Sequence, residues 1–194
     1  MNRIDSASLM TLEAYAKARP KFRAEVLAHK KNRTVAVGPN VTLIFEDELT
    51  IRYQIQEMLR IEKTFEEAGI QDELDAYVPL LPDGTNWKAT MLIEFPEAEE
   101  RKRQLALLRG IEHHVWVQID GGARVAAIAD EDMERSNDEK TSAVHFLRFE
   151  LAAEMRAALR SGARFAIGID HPAYRAQASV SDATRAALVQ DLAA

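Results

Sequence analysis

The chain has 194 residues, 47% of them hydrophobic and 29% charged, with a formal net charge of −6, which suits a globular chain long enough to bury a core. It contains no cysteine, and this excludes disulfides, thiolate metal sites, iron–sulfur ligation and cysteine nucleophiles together. No basic segment followed by an apolar run opens the sequence, and no apolar stretch reaches the roughly 20 residues of a spanning helix, so a cytoplasmic protein with no membrane segment is expected.

Charge is unevenly distributed. Lys17, Arg19, Lys21, Arg23, Lys30, Lys31 and Arg33 face only Glu25, whereas acidic residues dominate over 46–48, 62–75, 94–100 and 130–139. Asp5, Ser6 and Ser8 offer N-caps for a first helix carrying Leu9, Leu12 and Ala16; Pro20 should kink it or start a second helix with Phe22, Val26 and Leu27. Residues 34–45 read as two β-rich runs around Gly38-Pro39-Asn40, a hairpin. Thr50 can cap the next helix, expected to run to about Ala68 and stop at Gly69. Ile70, Leu74 and Tyr77 continue at helical spacing until Pro79 and Pro82.

Residues 87–95 read as a strand and 97–109 as a helix closed by Gly110. Alternation over Val115, Val117 and Ile119 gives another strand, turned by Asp120-Gly121-Gly122 into a partner over 124–129. The acidic stretch 130–140 has no periodicity and is assigned no role. Residues 144–150 look like an interior strand, 152–160 a helix, 163–169 a strand, and Val180-Ser181 a staple and cap for a last helix with Leu188 and Leu192. The expected fold is α+β: one domain over 1–194, a helical and hairpin portion over about 1–80 and a sheet portion over about 86–194. The sheet is expected to be mixed, with helices mainly on one face.

Familiar catalytic signatures are missing. There is no phosphate-binding or dinucleotide loop, no Gly-x-Ser-x-Gly elbow, no His-Glu-x-x-His and no Glu-x-x-His. The richest polar surface lies within residues 45–63. Ile51, Ile55, Met58 and Leu59 form a core stripe, while Tyr53, Gln56, Glu57 and Arg60 gather amides and charges on another face, beside Arg52, Glu46 and Glu62. Glu57 and Glu62 could act as acids, bases or hard-metal ligands and Arg60 could hold an anion; pairing of Glu57 with Arg60 on a solvated face is the ordinary alternative. Of the five histidines, His145 and His171 are the metal-ligand candidates, with Glu57 as a carboxylate partner, and His171 also belongs to the expected ligand set because Asp170-His171-Pro172 sits at a strand end.

The segments Gln54-Ile-Gln-Glu-Met-Leu-Arg60, Asp72-Glu-Leu-Asp-Ala-Tyr77, Lys88-Ala-Thr-Met-Leu-Ile-Glu94, Ser142-Ala-Val-His-Phe-Leu-Arg-Phe149 and Asp170-His-Pro-x-Tyr174 resemble an uncharacterised bacterial domain family of unknown function, over nearly the whole chain. That resemblance implies genes beside rubrerythrin-like and iron–sulfur oxidoreductase genes, hence an accessory role in redox or peroxide metabolism with a redox-enzyme partner. It supplies no catalytic residue and no cofactor. The leading expectation is therefore a cytoplasmic accessory or binding protein, with a homo-oligomer allowed. The alternative is a small metal-dependent or ligand-binding enzyme using a Glu/Arg/His site. Nucleic-acid binding through residues 17–33 is disfavoured by the net negative charge and by Phe22 being the only aromatic there.

Overall fold

The computed structural model describes residues 4–131 and 140–193. The expectation for 130–140 falls mostly outside them. The chain divides into two compact units, one holding the residues up to Asn32 together with Glu46–Leu81, the other Arg33–Phe45 together with the residues from Pro82 onward.

The first unit is helical. Helix α1, Leu12–Lys30, is capped by Thr11, whose hydroxyl accepts from the Ala14 amide, and it runs through Pro20 without restarting. Proline has no N–H to offer the Ala16 carbonyl, so the helix lacks one internal bond there. Helix α2, Glu48–Glu62, begins at Asp47 rather than at the expected Thr50. Asp47 and Thr50 form a capping box in which each side chain accepts from the other's backbone N–H. The helix ends at Lys63, in the left-handed region at φ 56°, short of Gly69, which falls inside α3, Glu67–Tyr77. Ile51, Ile55 and Leu59 of α2 bury against Ile4 and Leu74.

A half-buried carboxylate joins α1 to α2. Glu57 accepts from the Tyr15 hydroxyl at 2.6 Å and from two nitrogens of Arg19 at 2.7 and 2.9 Å, and Arg60 adds longer contacts. The Arg19 guanidinium holds its carboxyl down at about 2, with Tyr15 and Arg60 adding to the effect and burial opposing it. Burial and the bond to Glu57 push the Tyr15 hydroxyl well above its ordinary value.

The second unit contains two antiparallel sheets. Strands β1 (Thr34–Ala36), β2 (Val41–Phe45), β3 (Asn86–Ile93), β6 (Ile128–Ala129) and β7 (Val144–Glu150) form one, in the order β1-β2-β3-β7-β6. Strands β4 (Val115–Ile119), β5 (Arg124–Ala126), β8 (Phe165–His171) and β9 (Tyr174–Ser179) form the other, in the order β5-β4-β8-β9. The α+β class holds, but the expected mixed sheet is corrected. The strand–helix–strand stretches through α4 (Ala98–Leu107) and α5 (Ala153–Arg160) each leave one sheet and enter the other, so neither makes a parallel pair. The β1–β2 hairpin pairs with β3, Phe45 opposite Ala89, and so is part of the sheet. Helix α6, Asp182–Val189, starts at Ser181 as expected, the Ser181 hydroxyl accepting from the Thr184 amide.

In the second sheet the Trp116 indole lies flat over Gly168, with the Arg124 guanidinium 3.9 Å above the ring. A methyl at position 168 would sit 2.1 Å from the indole.

Two expectations follow from these contacts. Glu57→Gln should destabilise the helical unit by about 1–3 kcal/mol in chemical denaturation at pH 7. The difference should vanish in acid: the folded carboxyl titrates at about 2 against 4.5 for the unperturbed group, so its contribution is complete above the upper value and is lost as pH falls between them. Gly168→Ala should destabilise the sheet unit by about 2 kcal/mol or more and alter tryptophan emission as the Trp116 ring is displaced.

Candidate functional site

Glu112, Asp130, Thr141 and His145 meet at the edge of the five-stranded sheet, from three separate stretches of chain. His145 lies on β7 opposite Met91 and is fully buried. Gly110, at φ +78°, turns the chain from α4 into a short 3-10 helix, Ile111–His114, which carries Glu112 inward to 3% exposure. The Thr141 amide donates to the Leu105 carbonyl just before β7, and its side chain is buried.

Asp130 follows β6 and takes a left-handed backbone, φ 49°, a region that aspartate enters more readily than most residues. That conformation aims both carboxylate oxygens at β7. Oδ1 accepts from the Phe146 amide at 2.8 Å, and Oδ2 lies 2.5 Å from His145 Nδ1. The other ring nitrogen, Nε2, points away from Asp130. There it faces Thr141 Oγ1 at 2.8 Å, the Ser142 carbonyl at 3.1 Å and Glu112 Oε2 at 3.8 Å. The Thr141 hydroxyl is also 3.2 Å from Glu112 Oε2. One buried imidazole is thus surrounded by four oxygen atoms.

A ring of oxygens around an imidazole suits a cation, either a second proton on the ring or a metal ion. Two ligands about 2.1 Å from a common ion sit roughly 3–4 Å apart, which the separation of His145 Nε2 from Glu112 Oε2 matches. The ligand atoms of Glu112, Asp130 and His145 all lie within 4.8 Å of one another. Asp130, bonded to the far ring nitrogen, would set the tautomer and orientation of a ligating histidine.

The residues anticipated from sequence are distributed differently. His145 is in this group; His171 and Glu57 are outside it. His171 Nε2 bonds the Arg109 carbonyl at 3.1 Å, its Nδ1 accepts from the Ala173 amide at 3.2 Å, and its ring meets His114 edge-on at 5.2 Å. On α2, Gln56 is fully buried and clamps both backbone groups of Met10, at 2.8 and 3.2 Å. Tyr53 packs its ring against Phe22, and Arg60 lies on Glu57 within the network already described. Glu46 is buried at 7% exposure, while Glu62 is exposed at the end of α2. The polar face of this helix is therefore engaged by the helical unit's own residues. Sequence reading missed Glu112 and Asp130. Their one local signal is Gly110, which marks a turn beside Glu112.

The family model of proteins of unknown function designated DUF3501 matches residues 3–192. The chain belongs to this family. A solved structure, described as a novel protein of unknown function from Burkholderia pseudomallei, is similar over 99% of this chain and 100% of that one, at 54% identity and a TM-score of 0.94. No curated protein matches significantly. The bacterial family of unknown function expected from the sequence is thus the family found. Among the described residues of this DUF3501 protein, no helix is long and apolar enough to cross a membrane.

Removing the carboxylate that orients His145 should be costly. Asp130→Ala leaves the Phe146 amide and the imidazole without that acceptor and should lower stability by about 1–3 kcal/mol; Asp130→Asn, which tolerates the same backbone, should cost less. Equilibrium unfolding of the two variants checks both the size and the order.

Proposed function

We propose that this protein holds a divalent metal ion, with His145 Nε2 and the Glu112 carboxylate as ligands, the Thr141 hydroxyl beside them, and Asp130 fixing the imidazole. The observation that carries the reading is the set of four oxygens around one fully buried imidazole. Mixed carboxylate and imidazole donors suit zinc, manganese or ferrous iron. Such an ion would supply Lewis acidity or, for iron and manganese, a redox couple.

Burial favours holding over turnover. Glu112 and Thr141 are at most 3% exposed and His145 not at all, which disfavours contact with a sizeable substrate. The reading is therefore an accessory, metal-holding protein rather than a metal-dependent enzyme. The redox or peroxide setting implied by the family resemblance belongs to the same proposal, since iron and manganese are the ions such systems use.

The untagged protein, stripped with a chelator and dialysed, should take up one equivalent of Mn(II), Zn(II) or anaerobic Fe(II) by calorimetry and elemental analysis, with a rise in Tm. His145→Ala and Glu112→Ala should each weaken binding at least 100-fold and Asp130→Asn about 10–100-fold. Glu57→Gln should leave it unchanged. A wild-type protein that takes up none of the three ions at about 0.1 mM and neutral pH would mean that the cluster is a hydrogen-bonded tie with a structural role only.

A further inference from the structure

The Glu112 carboxylate meets an imidazole at each of its two oxygens. Oε2 lies 3.8 Å from His145 Nε2 and 3.2 Å from the Thr141 hydroxyl. Oε1 lies 3.8 Å from Nε2 of His113, the next residue along the 3-10 helix. The two histidines sit in opposite surroundings: the His145 side chain is fully buried, whereas that of His113 is 67% exposed. Glu112 itself is buried, so one carboxylate joins a ring in water to a ring in the interior.

A hydrated ion has to shed water to reach His145, and a charge entering a protein interior is costly unless ligands replace the water it loses. The separation of His113 Nε2 from Glu112 Oε1 is that of two ligands on a common ion, roughly 3–4 Å, and equals the separation of Glu112 Oε2 from His145. A carboxylate holds an ion through either oxygen or through both. An ion held between His113 and Oε1 can therefore cross to Oε2 without leaving Glu112, exchanging His113 and water for His145 and the Thr141 hydroxyl. His114, the following residue, packs its ring edge-on against His171 at 5.2 Å instead.

We infer that His113 is the entry ligand of the buried metal site, a positioning residue that takes a divalent ion from water and passes it across the Glu112 carboxylate to His145. The inference rests on the metal-holding reading above and adds a route to it. With only two protein ligands, the outer position is a point of transit and the inner one is where the ion rests. His113 thus governs rate. Its removal slows loading and release alike and leaves affinity unchanged, because the free and bound states at either end of the route stay the same.

Stopped-flow mixing of the chelator-stripped full chain with Zn(II) and a chromogenic zinc indicator gives the rate of uptake, and mixing the loaded protein with excess EDTA gives the rate of release. His113→Gln should slow both about tenfold or more while the equilibrium Kd stays within about twofold. His113→Asp, which returns an oxygen ligand to the surface, should recover much of the lost rate, and His114→Gln should leave both rates as they are. His113 is exposed, so an unaltered Tm of the stripped variants would show the fold intact. Wild-type rates in His113→Gln, with binding itself present, overturn the route and leave the metal site standing. Equal slowing by His114→Gln overturns it too, since any nearby imidazole would then serve. So does a rise in Kd for His113→Gln as large as that for His145→Ala, which would make His113 a resident ligand. A wild-type protein that takes up no Zn(II) removes the site and the route together.

Discussion

Trp87 is where the sheet unit is held together. Its indole meets Phe45 of β2 edge-on at 5.9 Å, lies 4.8 Å from Phe165 of β8, and donates its N–H to the Leu188 carbonyl of α6 at 2.9 Å. Phe149 of β7 closes the group against Phe45. Both sheets and the last helix thus converge on one fully buried side chain whose single polar atom is satisfied. The β-strands that flank the Glu112–Asp130–His145 cluster belong to this core, so the position of His145 is set by packing before any ligand is considered.

Two carboxylate networks in the protein, one half-buried and one buried, differ in the groups that surround them. Around Glu57 the donors prevail: two guanidinium groups and a phenol converge on one carboxylate, which is why it is a strong acid and a good bolt between α1 and α2. Around His145, among the described residues, the ring faces carboxylate, hydroxyl and carbonyl oxygens on both sides. The first arrangement is complete as a structural tie. The second is the arrangement proposed above to hold a cation, and it is this difference, rather than the number of charged residues, that separates a helix with a busy surface from a candidate functional centre.

Local signals were legible and remote ones were not. Ser181 capping α6, Asp120-Gly121-Gly122 turning β4 into β5, and Gly110 ending the α4 segment depend on a few neighbouring residues and read directly from the sequence. The start of α2 was misplaced because Asp47 and Thr50 are both able caps and share one capping box. Strand β9 is not legible as one: one of its faces is only half-buried and the other exposed, and its Arg, Gln and Ser positions look like loop. Sheet membership was not legible either, since nothing in β4 says that it pairs with β8 rather than β3. The site suffered most. Asp130 stands 15 residues from His145, and Glu112 stands 29 residues from Thr141, so neither acid has a periodic relation to the imidazole it joins. Only pairing of β6 with β7 and the turn after α4 bring them there.

The buried Arg33 has a consequence for how the chain is made. Its guanidinium bonds the Phe45 carbonyl nearby and the carboxylate of Asp191, 158 residues further on. The Gly84 carbonyl likewise receives the Ala193 amide. During synthesis the β1–β2 hairpin therefore emerges long before the residues that neutralise and seal it, while the residues of the helical unit are all made by Leu81. The sheet unit has to wait for the far end of the chain, a late, long-range closure of the kind that makes folding slow. For most of its translation the chain has all the residues of its helical unit and only part of its sheet unit.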